Sequence, residues 1–445
     1  MTNRREFIKK ASITTAGMFI GANAFAGKKL YIPGKANDTI NIAIIGLNSR
    51  AYAHSEALLS CTNVKISHIC DVDSIILEKF KANITKTFGY TPETEKDFRK
   101  LLENKDIDAI TIATPEHLHA PIAIMGLQAG KHVYVEKPCS HNLFENELIV
   151  AAQKKYGKLV QMGNQQRSSV TSAKAVKEIK EGIIGDVYLA KSWYSNTRGP
   201  IGIGKKVPVP QNLDWDLWQG PAPREEYRDN IHTYNWHWFK SWGTGEIHNN
   251  GTHEIDICRW ALGVDYPSEV SSIGGRYHGK DDWQFFDTQI ATYKFGDNKT
   301  ITWEGISCNG LKQFGKGRGS IIQGTKGSIL LDREIYILYG LGGNVIKEEV
   351  EESKGNTNTA DTKGFDLLTV THMQNFLDGI RINKVLNSPI NDAAISSHLC
   401  HLGNIAQFEQ KSLEIDSKTG LILNDKKIVE KHWKREYQKG WEPKL

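Results

Sequence analysis

A two-part α/β protein is what this sequence predicts, and three observations carry the prediction. Over residues 39–165, apolar runs of strand length alternate with stretches of helical spacing, the pattern of a parallel, doubly wound sheet. Beyond residue 165, period-two strands follow one another as hairpins before helix returns, which argues for a separate α+β domain. At 445 residues, 39% hydrophobic and 24% charged, the chain is long and apolar enough to bury a core in each part.

The first 26 residues are read as a leader rather than as fold. Arg4 and Arg5 precede Phe7, Ile8 and Lys9, and a short, mildly apolar stretch ends in Ala24-Phe25-Ala26. This is the pattern of a twin-arginine export signal with cleavage near Ala26, which predicts a periplasmic protein exported already folded. Residues 27–38 are a linker. No cysteine lies at the cleavage region and no stretch is apolar enough to span a bilayer, so neither a lipid anchor nor a membrane span is expected. The leader also explains most of the formal charge of +5, because Arg4, Arg5, Lys9 and Lys10 against Glu6 supply +3. The body carries no basic stripe of the kind nucleic-acid binding needs. Six scattered cysteines without C-x-x-C spacing imply no disulfide framework.

Strands are expected at residues 39–46, 64–71, 107–115, 131–138 and 159–163, with helices after the first turn and at 74–84, 119–130 and 142–157. In the second part a helix at 173–181 precedes strands within 187–195, 269–279, 287–305 and 319–340, with a turn at Asp297-Asn298. Helices are expected again within 371–381 and 392–410.

A phosphate-binding turn belongs where the first strand meets the first helix, and the sequence there is GLNSRAYAH. Gly46 holds the first glycine position, Asn48 replaces the second with a residue that tolerates positive φ, and Ala51 stands at the third. Gly46, Asn48, Ser49 and Arg50 are therefore candidate cofactor-binding residues. Asp71 ends the second strand, 25 residues beyond Gly46. An acid there hydrogen-bonds ribose hydroxyls and repels a 2′-phosphate, which favours NAD(H) and disfavours NADP.

Two further motifs, ATPEHLH at 113–119 and VEKP at 135–138, close the third and fourth strands. With GTHEID at 251–256 they resemble the glucose-fructose oxidoreductase / inositol dehydrogenase / MocA family, over nearly the whole chain after Asp38. The resemblance implies a Rossmann domain, an open-faced, mostly antiparallel sheet that mediates assembly into a dimer or tetramer, and an active site between them. It implies oxidation or reduction of a sugar or cyclitol at a secondary alcohol. It places Thr114, Pro115, His119, Glu136 and Lys137 beside the cofactor, makes Lys137 catalytic, and assigns a base to His253. Asn249 stands where the family carries the partner aspartate of that base. An asparagine can orient the ring but cannot stabilise an imidazolium by charge, and Glu246, His248 and Glu254 are the neighbours that could replace it. The chemistry is consistent: a histidine accepts a hydroxyl proton near neutral pH and a lysine steadies a developing alkoxide.

The crowded stretch GTGEIHNNGTHEID at 243–256 is thus read as a catalytic loop and not as a metal site, since His253-Glu254-Ile255-Asp256 lacks the second histidine of a zinc-binding helix. Seven of the eleven tryptophans fall between Lys191 and Trp260, six of them before this stretch and Trp260 just after it. Aromatic faces with polar tips suit a carbohydrate, so Trp236, His237 and Trp238, with Asn249 and His253, are candidate substrate contacts. Gln165 and Arg167, after the fifth strand, are expected to reach cofactor and substrate respectively. Export away from any NAD pool calls for a tightly bound cofactor regenerated in place. The leading expectation is an NAD(H)-dependent oxidoreductase acting on a sugar, glycoside or cyclitol. The alternatives are an NAD-dependent glycoside hydrolase working by transient oxidation and elimination, and a non-catalytic nucleotide- and sugar-binding protein.

Overall fold

A computed structural model describes residues 39–351 and 366–445; the expected leader and linker lie outside the described residues. Six strands, β1 (Ile40–Ile45), β2 (Val64–Cys70), β3 (Glu93–Glu95), β4 (Ala109–Ile112), β5 (His132–Val135) and β6 (Val160–Met162), form an all-parallel sheet in the order β3-β2-β1-β4-β5-β6. Helices α1 (Arg50–Ser60), α2 (Ser74–Phe88), α3 (Phe98–Glu103), α4 (His119–Gln128) and α5 (Leu143–Tyr156) connect them. The central strands are apolar on both faces because helices cover both. Local chemistry sets the helix limits. Asp73 caps α2 by accepting the amides of Ile75 and Ile76, and Asn142 caps α5 through the amide of Glu145. Gly89 and Gly157 end these helices in the left-handed conformation. Edge strand β3 and helix α3 were not expected, because β3 is short, polar and partly exposed and carries no apolar run.

The sheet borrows cover from far along the chain. On one face Ile42, Ile44, Ile66, Phe80 and Ile84 pack with Met373, Phe376 and Leu377. On the other, Ile110, Ile112, Ile122, Val133 and Val135 pack with Ile390, Ala393, Ala394 and Trp441.

The second sheet has nine strands: β7 (Val187–Ser195), β8 (Glu269–Gly275), β9 (Thr288–Phe295), β10 (Lys299–Ile306), β11 (Arg318–Gly324), β12 (Gly327–Leu331), β13 (Ile335–Gly340), β14 (Val345–Val350) and β15 (Leu413–Glu414). Only β7 and β10 pair in parallel; the other neighbours are antiparallel. In chain order the helices of this part are α6 (Val170–Lys180), α7 (Trp215–Gln219), α8 (Glu246–Asn249), α9 (Gly251–Leu262), α10 (Leu367–Ile382), α11 (Ile390–Glu409) and α12 (Lys426–His432). One face of the sheet buries Tyr293, Trp303 and Ile322 against Ile255 and Cys258 of α9 and Leu399 of α11.

The stretch 243–256 is not a loop. Most of it forms α8 and the first half of α9. Its crowded glycines and asparagines mask the helical spacing of Ile247, Ile255, Ile257 and Leu262, all of which are buried. Gly251 has a packing reason: a Cβ there would lie 2.7 Å from the indole of Trp303. The helix can therefore press onto the sheet and hold His253 at its other edge.

Because Phe376 is fully buried in the core of the first sheet, Phe376→Ala should cost about 3–5 kcal/mol of unfolding free energy. Denaturant unfolding should show this as a lower midpoint for the whole parallel sheet.

Candidate active site

The carboxyl ends of β1, β2, β4 and β5 open onto a cavity of about 290 Å³, walled on the far side by α8, α9 and the 232–237 segment. Crevices at strand carboxyl ends are where open α/β sheets bind ligands. At the first turn Gly46 has φ of +82°, and a Cβ would lie 2.6 Å from the amide nitrogen of Thr114. Only glycine lets β1 turn so close to the end of β4. The amides of Leu47 and Asp73 donate to the two oxygens of Asp71, at 2.8 and 2.9 Å. Burial pushes the Asp71 carboxyl up to about 6 against these hydrogen bonds. α1 starts without a side-chain cap, leaving its first turn suited to an anion. Asn48 does not use the positive φ its residue type tolerates. Its side-chain amide instead donates to the Thr233 carbonyl at 3.3 Å, across the cavity mouth.

Glu136, at the end of β5, is the hub of the site. Its Oε1 accepts from Arg50 Nε at 2.8 Å, His54 Nε2 at 2.9 Å and Gln165 Nε2 at 3.1 Å. Burial alone would raise its pKa, but the Arg50 guanidinium and His54 hold it well below the usual carboxylate range. Gly163 makes room, since a Cβ there would sit 2.7 Å from Glu136 Oε2. His119 faces the cavity, yet its ring nitrogens lie 2.6 Å from the Pro138 carbonyl and 2.9 Å from that of Thr114. A neutral imidazole carries one N–H, so one of these carbonyls accepts from His119 while the ring lies between the two motifs.

Lys137 points across the cavity to α8, where its ammonium donates to the Asn249 carbonyl at 2.5 Å and lies 3.4 Å from Asn249 Oδ1. His253 stands one turn further on. Burial lowers its pKa well below the ordinary value, and Arg318, Lys137 and Arg333 lower it further. None of the three neighbours considered for the missing charge reaches it. Glu246 accepts from Arg198 Nε at 2.6 Å and from Asn250, and Glu254 accepts from Arg318 Nε at 2.6 Å. His248 is fully buried against His401, ring centroids 4.1 Å apart. His253 is therefore a neutral imidazole.

The expected residues divide cleanly. Gly46, Asn48, Ser49, Arg50, Asp71, Thr114, Pro115, His119, Glu136, Lys137, Gln165, Trp236, His237, Asn249 and His253 line one cavity. Trp236 and His237 stack with centroids 3.5 Å apart and present one aromatic wall. Arg167 and Trp238 are not in the lining. Arg167 forms a two-pronged ion pair with Asp256, at 2.7 and 2.8 Å, and reaches Asp392 at 3.1 Å. Trp238 is buried and stacks on Trp283, centroids 4.0 Å apart. Most other tryptophans of the cluster are core: Trp215 and Trp242 pack together, and Trp193 sits in a small cluster of its own. Residues not anticipated from sequence also line the cavity: Glu116, Trp218, Arg318 and Arg333. Glu116 lay inside a recognised motif, while Arg318 and Arg333 arrive from the distant sheet and left no local signal. Among the described residues no cluster of three or more His, Cys, Asp or Glu side chains is arranged to hold a metal ion.

Residues 40–164 match the model of an oxidoreductase family with an NAD-binding Rossmann fold, and residues 208–415 match that family's C-terminal alpha/beta domain. A glycosyl hydrolase family 109 protein of Shewanella baltica is 28% identical over 210 residues, 43% of this chain and 46% of that protein. The match thus spans about half the length of that relative. Among solved structures, an oxidoreductase domain protein from Kribbella flavida superposes with a TM-score of 0.66 at 20% identity, over 85% of this chain and 99% of the other. Levoglucosan dehydrogenase in complex with NADH and levoglucosan superposes with a TM-score of 0.64 at 18% identity, over 84% of this chain and 99% of the other. These two likenesses are likenesses of fold.

Asn249→Asp adds a carboxylate to the cavity that His253 lines, where Glu136 alone is now outweighed by burial and three cations, and an opposite charge favours the imidazolium. The His253 titration midpoint, followed by NMR of the ring protons, should move to higher pH than in the unsubstituted protein.

Proposed function

The chain belongs to the glucose-fructose oxidoreductase / inositol dehydrogenase / MocA family of NAD-binding oxidoreductases, and from that premise we propose that it moves a hydride between NAD(H) and a secondary hydroxyl of a sugar, glycoside or cyclitol. The observation that carries the reading is the convergence of Lys137, Asn249 and His253 with the Gly46–Asp71 turn on one cavity walled by Trp236 and His237.

The residues present fit the cofactor. Gly46 leaves the space a Cβ would fill, the first turn of α1 suits a diphosphate, and Asp71 is placed for ribose hydroxyls. NAD, when bound, supplies the hydride acceptor. Lys137 and His253 then flank the reacting hydroxyl. The depressed proton affinity of His253 fits it to orient that hydroxyl as a hydrogen-bond acceptor, because burial and the charges of Arg318, Lys137 and Arg333 outweigh the support that Glu136 gives an imidazolium. This differs from its expected role as base. Burial also lowers the pKa of Lys137, with Glu116 and Glu136 opposing the change, so its amine form is accessible to take the hydroxyl proton. The Trp236–His237 wall packs the C–H face of a sugar ring.

Three finer readings belong to the same proposal. The twin-arginine leader directs the folded protein to a periplasm, where the cofactor must be tightly bound and recycled in place. The second sheet supports a dimer or tetramer through its outward face, where Ile273 and its cross-strand partner Ile290 are exposed. The glycosyl hydrolase relative favours one alternative, in which the hydride is returned after the glycosidic bond has been eliminated.

Absorbance of the purified, undialysed protein tests the reading. A panel of glucosides and cyclitols should raise a lasting reduced-nicotinamide band. Sugar release with no lasting band would favour the hydride-returning hydrolase, and a protein that carries and binds no nucleotide would contradict both.

A further inference from the structure

The cavity contains a carboxylate that the steps above leave idle. Glu116 follows Thr114-Pro115 at the end of β4, is 2% exposed, and lines the same cavity as Lys137, Asn249 and His253. Thr244 Oγ1 donates to its Oε2, while Oε1 is buried with no hydrogen-bond partner. Thr244 is itself anchored, because its carbonyl accepts from Asn404 Nδ2 of α11 at 2.8 Å. No arginine or lysine hydrogen-bonds Glu116.

The charges around it are few and can be named. Lys137 is the cation that acts on it most strongly, and Glu246 is the other anion within reach. His119 and His237 both feel the Lys137 charge, but burial lowers the proton affinity of each. An ionised carboxylate whose donors are the neutral groups of Thr244 is costly in a dry site unless a cation faces it. The Glu116–Lys137 pair can thus hold its proton on either side: carboxylate with ammonium, or carboxylic acid with amine. Burial moves the two groups towards each other, the carboxyl up to about 7 and the ammonium down.

We propose that Glu116 is the proton relay behind Lys137. Starting from ammonium with carboxylate, a Lys137 N–H bond breaks and its proton forms an O–H bond on Glu116, which leaves Lys137 as the amine. As the substrate C–H bond breaks and its electron pair leaves as hydride to the nicotinamide, the hydroxyl O–H bond breaks and its proton forms an N–H bond on that amine. The pair thus ends as ammonium with carboxylic acid and holds the proton the substrate has lost until it is released to water after turnover. Carbonyl reduction runs the same transfers backwards. Glu116 does not touch substrate in this scheme; it acts through Lys137. The inference rests on the oxidoreductase reading for its role in turnover, while the Glu116–Lys137 coupling stands without it.

Glu116→Gln, made in the full chain with its bound cofactor, keeps the acceptor for Thr244 and removes the titration. It should slow cofactor reduction by a saturating sugar about 100-fold, leave cofactor content unchanged, and remove the limb of the pH–rate profile nearest neutrality. Glu116→Asp should recover part of the rate and that limb. A wild-type rate and profile in Glu116→Gln would overturn the relay. Difference infrared titration gives a readout that needs no substrate. A protonated-carboxyl band absent from Glu116→Gln should titrate near neutrality in the wild type and move to higher pH in Lys137→Met, which lacks the cation favouring the carboxylate. A midpoint unmoved in Lys137→Met would overturn the coupling. If no sugar reduces the cofactor in the wild type, the oxidoreductase reading fails, and the infrared result still decides the coupling.

Discussion

A buried carboxylate at the end of β5 has to be matched by donors from several elements, and the site is built around that demand. Glu136 collects Arg50 and His54 from α1 and Gln165 from the turn after β6. Arg50 reaches on to Thr369 of α10 at 3.1 Å, so a helix from the far end of the chain, whose Met373 and Phe376 pack in the core of the parallel sheet, is linked through Arg50 to the same carboxylate. Leaving any of these charges unpaired away from water would cost several kcal/mol, of the order of 3–5 for a broken buried pair. Lys137 follows directly in sequence. With Glu136 fixed, the direction in which Lys137 leaves the strand is fixed too, and it meets Asn249 across the cavity.

The opposite wall is held by a second buried ionic network. Arg167 pairs with Asp256, Ser396 donates to Asp256 at 2.6 Å, and Arg259 donates to Asp392 at 2.5 Å. These contacts join the turn after β6 to α9 and α11. His253 lies one helical turn before Asp256, so the network sets where its ring stands. Arg167 therefore serves the chemistry by positioning a helix and not by touching substrate. The two networks meet in the turn at 164–168, where Gln165 serves one and Arg167 the other.

The parallel sheet was legible because its strands read as short, largely apolar runs alternating with helical spacing, and because Asp71 and the Glu136-Lys137-Pro138 motif sit at strand ends where chemistry is placed. The helical character of 243–256 was hidden by glycines and asparagines whose reasons are tertiary, such as the contact of Gly251 with Trp303. Tryptophan clustering pointed to an aromatic wall but could not separate Trp236, on the cavity, from Trp238, stacked in the core. Arg318 and Arg333 come from β11 and the turn after β12, more than 60 residues beyond His253 along the chain, so their effect on that imidazole is a product of folding alone. Glu116 was visible as a letter in a motif; what distinguishes it is burial beside Lys137 with one oxygen unmatched, and burial is not written in a sequence.

The activity proposed for this cavity depends on hydride passing between a carbohydrate carbon and the bound nicotinamide. The direct test is to supply the protein with an active sugar deuterated at its secondary carbons, quench within one turnover, and measure the mass of the released nicotinamide cofactor. Transfer at the cavity requires one deuterium in the reduced cofactor, whether the hydride is later kept or returned. A cofactor that never acquires deuterium while the sugar is altered would contradict hydride transfer as the chemistry of this site.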